Sequence, residues 1–276
     1  RMNREGGIVI DLLSAGPLGP EVEDAIVDAG GIRTKMGAVG TDKMREAINC
    51  GKVRFIEGKG GQLPLQVKRG WYGSLDTAVV EAVGITAEGH IIPTTAVYDT
   101  PEWVDMAGSV IVEINLACPP ELEGIHDVYQ RGIEPIPIID NALKRIGTPY
   151  IPVDPAKVKA IVISDLPIRQ TPENKPDHIA EAIGQHICDF FHREIRAGRL
   201  RDPLPPLEVG VGALVENVLR VMGASDFTDF RLNLPSVTDP VIDILAKGKL
   251  QWATGTALRL TSEVWKRFMA NIDEYK

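Results

Sequence analysis

Aromatic side chains are scarce in this 276-residue sequence, at 5%, so Val, Ile, Leu and Ala must fill its core. Cysteine is scarcer still. Cys50, Cys118 and Cys188 lie far apart with no CxxC pair, which argues against a disulfide framework or a cysteine zinc site and for buried thiols in a reducing compartment. No apolar run approaches the ~18 residues of a membrane span, and no signal-peptide pattern opens the chain. The cytoplasm is therefore the expected location, with no membrane partner. Basic residues are outnumbered 38 to 30, for a net charge of −8. That balance argues against nucleic acid as a main partner, because phosphate neutralisation needs a basic surface. The five histidines (His90, His126, His178, His186, His192) form no HExxH motif. The three on one helical segment are spaced eight and six apart rather than four, so no metal is expected. The GxGxxG, GK[ST] and GxSxG signatures are missing as well.

What is present is an alternation of short apolar runs and amphipathic stretches. Ile8–Leu13 reads as a strand buried on both faces. A helix follows from about Glu21 and ends at Gly30-Gly31. A second helix runs from Thr41, its N-cap, to Cys50, with Gly51 as the stop. Val53–Glu57, Leu75–Val83 and Ser109–Asn115 read as strands, with a Pro101-led helix before the last. Prolines at 135, 137, 149, 152 and 155 mark Glu134–Pro155 as an extended connection between two domains. Beyond it come a strand at Val158–Ile163 and a long helix, Pro176–Arg196, with Ile179, Ile183, Ile187, Phe190 and Phe191 as its apolar stripe. The fold class is α/β, with largely parallel sheets flanked by helices. Arg1 ahead of Met2 reads either as a tag scar or as a piece of a longer polypeptide.

One loop has the character of a binding site. Gly210 and Gly212 precede a helix predicted over Leu214–Met222. Paired glycines let backbone N–H groups approach a ligand, and the helix N-terminus adds partial positive charge, which suits a phosphate, carboxylate or thioester oxygen. The same pattern also serves as a plain tight turn. Lys157, Lys159, Arg193, Arg196 and Arg199 are either a local basic patch for a phosphorylated cofactor or solvated surface charges.

Several segments, in order along nearly the whole chain, resemble the acetyl-CoA hydrolase / acyl-CoA:carboxylate CoA-transferase family, a branch of the class I CoA-transferases. They are Asp11–Gly16 with Pro20-Glu21-Val22, Ala78–Val83, Ile91–Thr95, Ile111–Leu116, Glu123–Asp127, Arg145–Pro155, Ala197–Leu200, Gly210–Gly212 and Ala253–Thr256. The resemblance implies two open α/β domains, here 1–148 and 149–276, with the family's first strand and its C-terminal part absent. It implies movement of CoA between an acyl-CoA and a carboxylic acid, or hydrolysis of the thioester, through a glutamate nucleophile. It also lays the family's glycine loop on Gly210, Val211, Gly212, Ala213 and Leu214, against coenzyme A.

Departures from the family pattern cluster at the chemistry. The family's Tyr/Trp-Thr-Glu-Val-Ile/Leu-Gln-Asp segment corresponds without a gap to Asn233–Asp239, which places Pro235 at the nucleophile. Glu208-Val209 stands where the family has Gln-Ser, Ala213 where it has Asn, and Tyr98-Asp99 in place of a glycine-containing loop. Three readings stay open. A partner chain supplies the glutamate, the expected assembly being with a second CoA-transferase subunit or a homo-oligomer. Glu208 acts as a relocated catalytic carboxylate. Or the chain is a non-catalytic CoA-binding or regulatory subunit. Asn115, Glu123, His126 and Asp127 either hold family-like loops together or take part in the chemistry.

Overall fold

The computed structural model describes residues 7–14, 16–130, 144–172, 174–175 and 177–276. Pro135 and Pro137 of the proline-rich connection lie outside the described residues, as do Ala15 and Pro176. In chain order the elements are β1 (Ile10–Ser14), α1 (Pro20–Asp28), β2 (Ile32–Gly37), α2 (Asp42–Asn49), β3 (Arg54–Ile56), α3 (Leu63–Lys68), β4 (Thr77–Ile85), β5 (Ile91–Pro93), α4 (Thr100–Met106) and β6 (Ser109–Asn115). They continue with β7 (Val158–Ser164), α5 (His178–Arg196), β8 (Leu207–Glu208), α6 (Ala213–Ala224), β9 (Phe230–Leu234), β10 (Val237–Thr238), α7 (Asp239–Ala246), β11 (Leu250–Gly255), β12 (Leu258–Arg259) and α8 (Ser262–Ala270). The sheets have strand orders β1-β2-β3, β5-β4-β6-β7, β11-β9-β8 and β10-β12. The first, third and fourth are parallel, whereas β4 and β5 pair antiparallel.

The chain divides into two compact units. One comprises residues 1–80, 98–111 and 157–159, and the other residues 81–97, 112–156 and 160–276. In the first, α2 forms as its residues dictate. The Thr41 hydroxyl accepts the Met44 N–H at 3.1 Å, and Gly51 takes the positive φ of 73° that ends the helix without a Cβ penalty. Met44 and Ala47 turn their sides into a small core with Ile32 and Val53. β1 departs from expectation. It is the edge of its sheet, only partly buried, and Ile8 and Val9 before it are 69% and 56% exposed.

This unit also buries a charge pair that the sequence did not announce. Lys35 and Glu23 have no exposed side-chain surface. Lys35 Nζ donates to Ser14 Oγ at 2.6 Å and lies 4.0 Å from Glu23 Oε1, while Glu23 Oε2 accepts the Gly40 and Thr41 amides. Burial outweighs the attraction of Glu23 and pushes the Lys35 ammonium down to about 8.

In the second unit, Phe230, Leu232 and Leu234 send one face of β9 into a core shared with α5, α6 and α7. Between Pro149 and Pro152 the connection is tied to β5, since Ile151 exchanges both backbone hydrogen bonds with Ile91. Helix α5 docks by only part of its stripe, with Ile187 and Phe191 packed against the core. Ala180, Gly184 and Cys188 are buried, whereas Ile179, Ile183 and Phe190 are 60%, 37% and 47% exposed. The reason is close helix packing: a Cβ on Gly184 would lie 2.9 Å from Val221 Cβ. The small residues thus let α6 approach. Among the described residues, no helix is long and apolar enough to cross a membrane.

Candidate functional site

The glycine loop lies at the C-terminal ends of the parallel strands of the β11-β9-β8 sheet. Ligands of open α/β sheets gather at such ends. Glu208 is the last residue of β8, and Gly210 to Gly212 join it to α6. Gly212 is the N-cap of that helix, with a φ of 121° and no capping side chain. Ala213 and Leu214 are therefore the first residues of α6 itself, one turn-residue earlier than the sequence suggested. Gly210, Val211, Gly212, Ala213 and Leu214 are all exposed. The first-turn carboxylate of Glu216 is engaged by Asn174 Nδ2 at 2.7 Å.

Strand register assembles a polar row beside this loop. Glu208 pairs with Asn233, and Asn233 with Thr254. Partners across a parallel ladder face the same way, so the three side chains share one face of the sheet, and all three are exposed. Val209 N–H donates to Asn233 O at 2.9 Å and holds β8 in this register up to the loop. Pro235, two residues beyond Asn233, is exposed as well. Its carbonyl accepts from both the amide and the hydroxyl of Thr256, at 3.2 and 2.7 Å. Its side chain offers neither a nucleophile nor a proton.

Below the row, Arg231 is in register with Trp252. Arg231 Nη2 donates to Leu204 O at 2.7 Å, but its Nε and the indole Nε1 of Trp252 are buried donors without acceptors among the described residues. Sequence reading missed Thr254, Arg231 and Trp252 as neighbours of Glu208. Nothing local signals them, because the pairing joins residues more than 20 apart in the chain.

A second polar cluster holds loops. Glu81 accepts from Asn115 Nδ2 at 2.7 Å and Thr94 Oγ1 at 3.1 Å. Buried Asn115 also donates to Leu166 O and accepts the amides of Ala117 and Leu166. His126 Nε2 meets Thr94 O at 2.8 Å, which makes it the proton-bearing nitrogen, and Asp127 accepts the Gly147 amide. His126 Nδ1 is buried without a partner among the described residues, and burial holds the ring below its usual pKa. Glu123 is exposed. The Cys118 thiol, pushed up to about 12 by burial and then by Glu81 and Glu113, is unreactive near neutrality. Cys50 is exposed, contrary to the expectation of three buried thiols.

Of the basic residues, Arg199 is held by Glu194 through two hydrogen bonds of 2.6 Å, and Lys157 Nζ donates to the carbonyl of Asp105. Tyr98, where the family pattern has a glycine-containing loop, takes a positive φ of 43°. That region is strained for a bulky residue. Among the described residues, no group of three or more His, Cys, Asp or Glu could hold a metal ion.

Comparison with known proteins identifies the family. Residues 3–163 match the family model of the acetyl-CoA hydrolase/transferase N-terminal domain. The chain belongs to that family. An acetyl-CoA hydrolase of Yarrowia lipolytica is 36% identical over 238 residues, 83% of this chain and 45% of the relative. A succinyl-CoA:acetate CoA-transferase of Clostridium kluyveri is 30% identical over 271 residues, 97% of this chain and 50% of the relative. This acetyl-CoA hydrolase/transferase family member thus spans about half the length of the curated relatives it matches. The structure of a 4-hydroxybutyrate CoA-transferase from Porphyromonas gingivalis superposes with a TM-score of 0.61 at 17% identity, covering 95% of this chain and 60% of that one. At that identity the likeness concerns the fold, which is of class I CoA-transferase type.

Proposed function

We propose that this chain is a subunit of a class I CoA-transferase or acyl-CoA hydrolase that moves CoA between an acyl-CoA and a carboxylic acid, with the nucleophilic glutamate supplied by a partner chain. The observation that carries the reading is the open polar face of the β11-β9-β8 sheet, which adjoins a glycine loop and has Pro235 at the family's nucleophile position. On this reading Gly210 to Leu214 lie against coenzyme A, and the chain divides functionally at 148/149. The Gly212–Ala213 turn offers main-chain donors to an oxyanion.

The chemistry follows from a carboxylate nucleophile. The partner's glutamate attacks the acyl carbonyl, which breaks the thioester and gives a mixed anhydride and CoA thiolate. The thiolate then attacks the glutamyl carbonyl, releasing the acyl carboxylate and leaving a glutamyl-CoA thioester. An acceptor carboxylate reverses the two steps, or water cleaves the thioester to give free CoA.

A second reading is favoured by register. Glu208 is in register with Asn233, two residues before position 235, so Glu208 could act in cis in the glutamate's place. Native mass spectrometry of the assembly from its source separates the cases. A hetero-assembly with acyl-CoA:carboxylate activity, lost on removal of the second chain, is the expected result. A homo-oligomer that turns over alone would shift the assignment to Glu208. A homo-oligomer that binds CoA without turnover would identify a non-catalytic binding or regulatory subunit.

A further inference from the structure

The first unit has a polar row of its own. Asp11, Thr34 and Arg54 are in register across β1, β2 and β3, and two residues on, Leu13, Met36 and Ile56 repeat the register. Both rows face the same side. A cavity of about 380 Å³ opens on this face, lined by the charged row, Arg33, Met36, Ile56 and Tyr72. That volume is within the range of small-molecule sites.

The charges in this cavity do not cancel. Arg33 occupies both oxygens of Asp11, with Nε on Oδ1 at 3.0 Å and Nη2 on Oδ2. Asp11 stays ionised, held down to about 2 by Arg33 first and by Thr34 next. The Tyr72 hydroxyl donates to Gln66 Oε1 at 3.1 Å and leaves its oxygen lone pairs toward other donors. Arg54 acts on the same carboxylate through space, weakly beside Arg33, and has no hydrogen bond or close ion pair among the described residues. Two guanidinium groups therefore stand over one carboxylate that is already taken, in a chain whose overall charge is −8. A guanidinium in this position matches an oxyanion by charge and by its planar fork of donors. The apolar row beside it suits the rest of a small molecule.

We propose that this cavity binds a small amphiphilic oxyanion, with its carboxylate or phosphate group on Arg54 and its apolar part on Ile56 and Met36. The site shares no residue with the Glu208–Asn233–Thr254 face, so it stands or falls apart from the CoA reading. Isothermal titration of the full chain with butyrate, and separately with inorganic phosphate at fixed ionic strength, tests it. The expected result is saturable binding of at least one anion on the order of 1 mM. Arg54→Gln should weaken it about tenfold or more and Arg54→Lys should restore part of it. Because Arg54 is exposed, both variants should fold. Binding of butyrate alone identifies an organic acid as the ligand class. Binding of phosphate alone identifies a phosphoryl group, and binding of both identifies a general oxyanion site. Equal affinity in wild type and Arg54→Gln, or no saturable heat up to about 50 mM of either anion, would overturn the proposal.

Discussion

Two glutamates in the second unit, both at exposed positions on strands, show how differently the fold uses the same side chain. Glu81 on β4 accepts hydrogen bonds from Asn115 and Thr94, and through them ties together the ends of β5 and β6 and the turn at Leu166. Glu208 at the end of β8 has no side-chain hydrogen bond or ion pair among the described residues, although it stands in register with Asn233 and Thr254 beside a glycine loop. A carboxylate satisfied by its own protein is committed to architecture. A carboxylate left open beside main-chain donors is free to meet a substrate. Loop polar groups can do either, and the bonding of each decides which.

The comparison is open to test at several strengths. The largest effect should come from Asn115→Ala, which removes a buried amide that makes four hydrogen bonds and leaves several loop groups unpaired. A loss of about 2–4 kcal/mol in urea unfolding is expected. A loss below about 0.5 kcal/mol would show that the cluster does not organise these loops.

A smaller effect concerns pH. His126 is half-buried, with Nε2 donating to Thr94 O and Nδ1 buried without a partner among the described residues, and burial holds its folded pKa below the ordinary 6.5. The unfolded chain then takes up the proton first, so stability is fully present above 6.5 and falls as pH drops below it. A stability profile between pH 7 and pH 5 should slope downward in wild type and flatten in His126→Gln. Parallel slopes would remove His126 from the account. The smallest effect on stability should be that of Glu208→Ala, within about 0.5 kcal/mol of wild type. A substantial loss there would mean that Glu208, like Glu81, serves the architecture.

Much of the scaffold was legible because local chemistry specifies it. Thr41 and Gly51 bracket α2 as a cap and a stop do, and β6 occupies Ser109–Asn115 as its apolar run indicated. Readings failed where long-range packing decides. Only part of the α5 stripe is covered: Ile187 and Phe191 pack on the core, while close approach of α6 at Gly184 leaves Ile179 and Phe190 exposed. β1 looked like a doubly covered strand but occupies a sheet edge. Buried Lys35 and Glu23 resembled any other surface charges in the sequence. Of the candidate site, the glycine loop was legible as the turn that Gly212 makes into α6. The alignment of Glu208, Asn233 and Thr254 is a matter of strand register, which no segment contains by itself.

The central claim is that this chain contributes the open face and glycine loop while a partner contributes the glutamate. Hydroxylamine trapping tests it most directly, because attack on a glutamyl-CoA thioester releases CoA and leaves a stable glutamyl hydroxamate. The purified assembly should be treated with acyl-CoA and hydroxylamine, and the modified residue located by peptide mass spectrometry. The account predicts a hydroxamate on a glutamate of the second chain, none on Glu208, and no trapping when the present chain is tested alone. A hydroxamate on Glu208, abolished by Glu208→Ala, would contradict it.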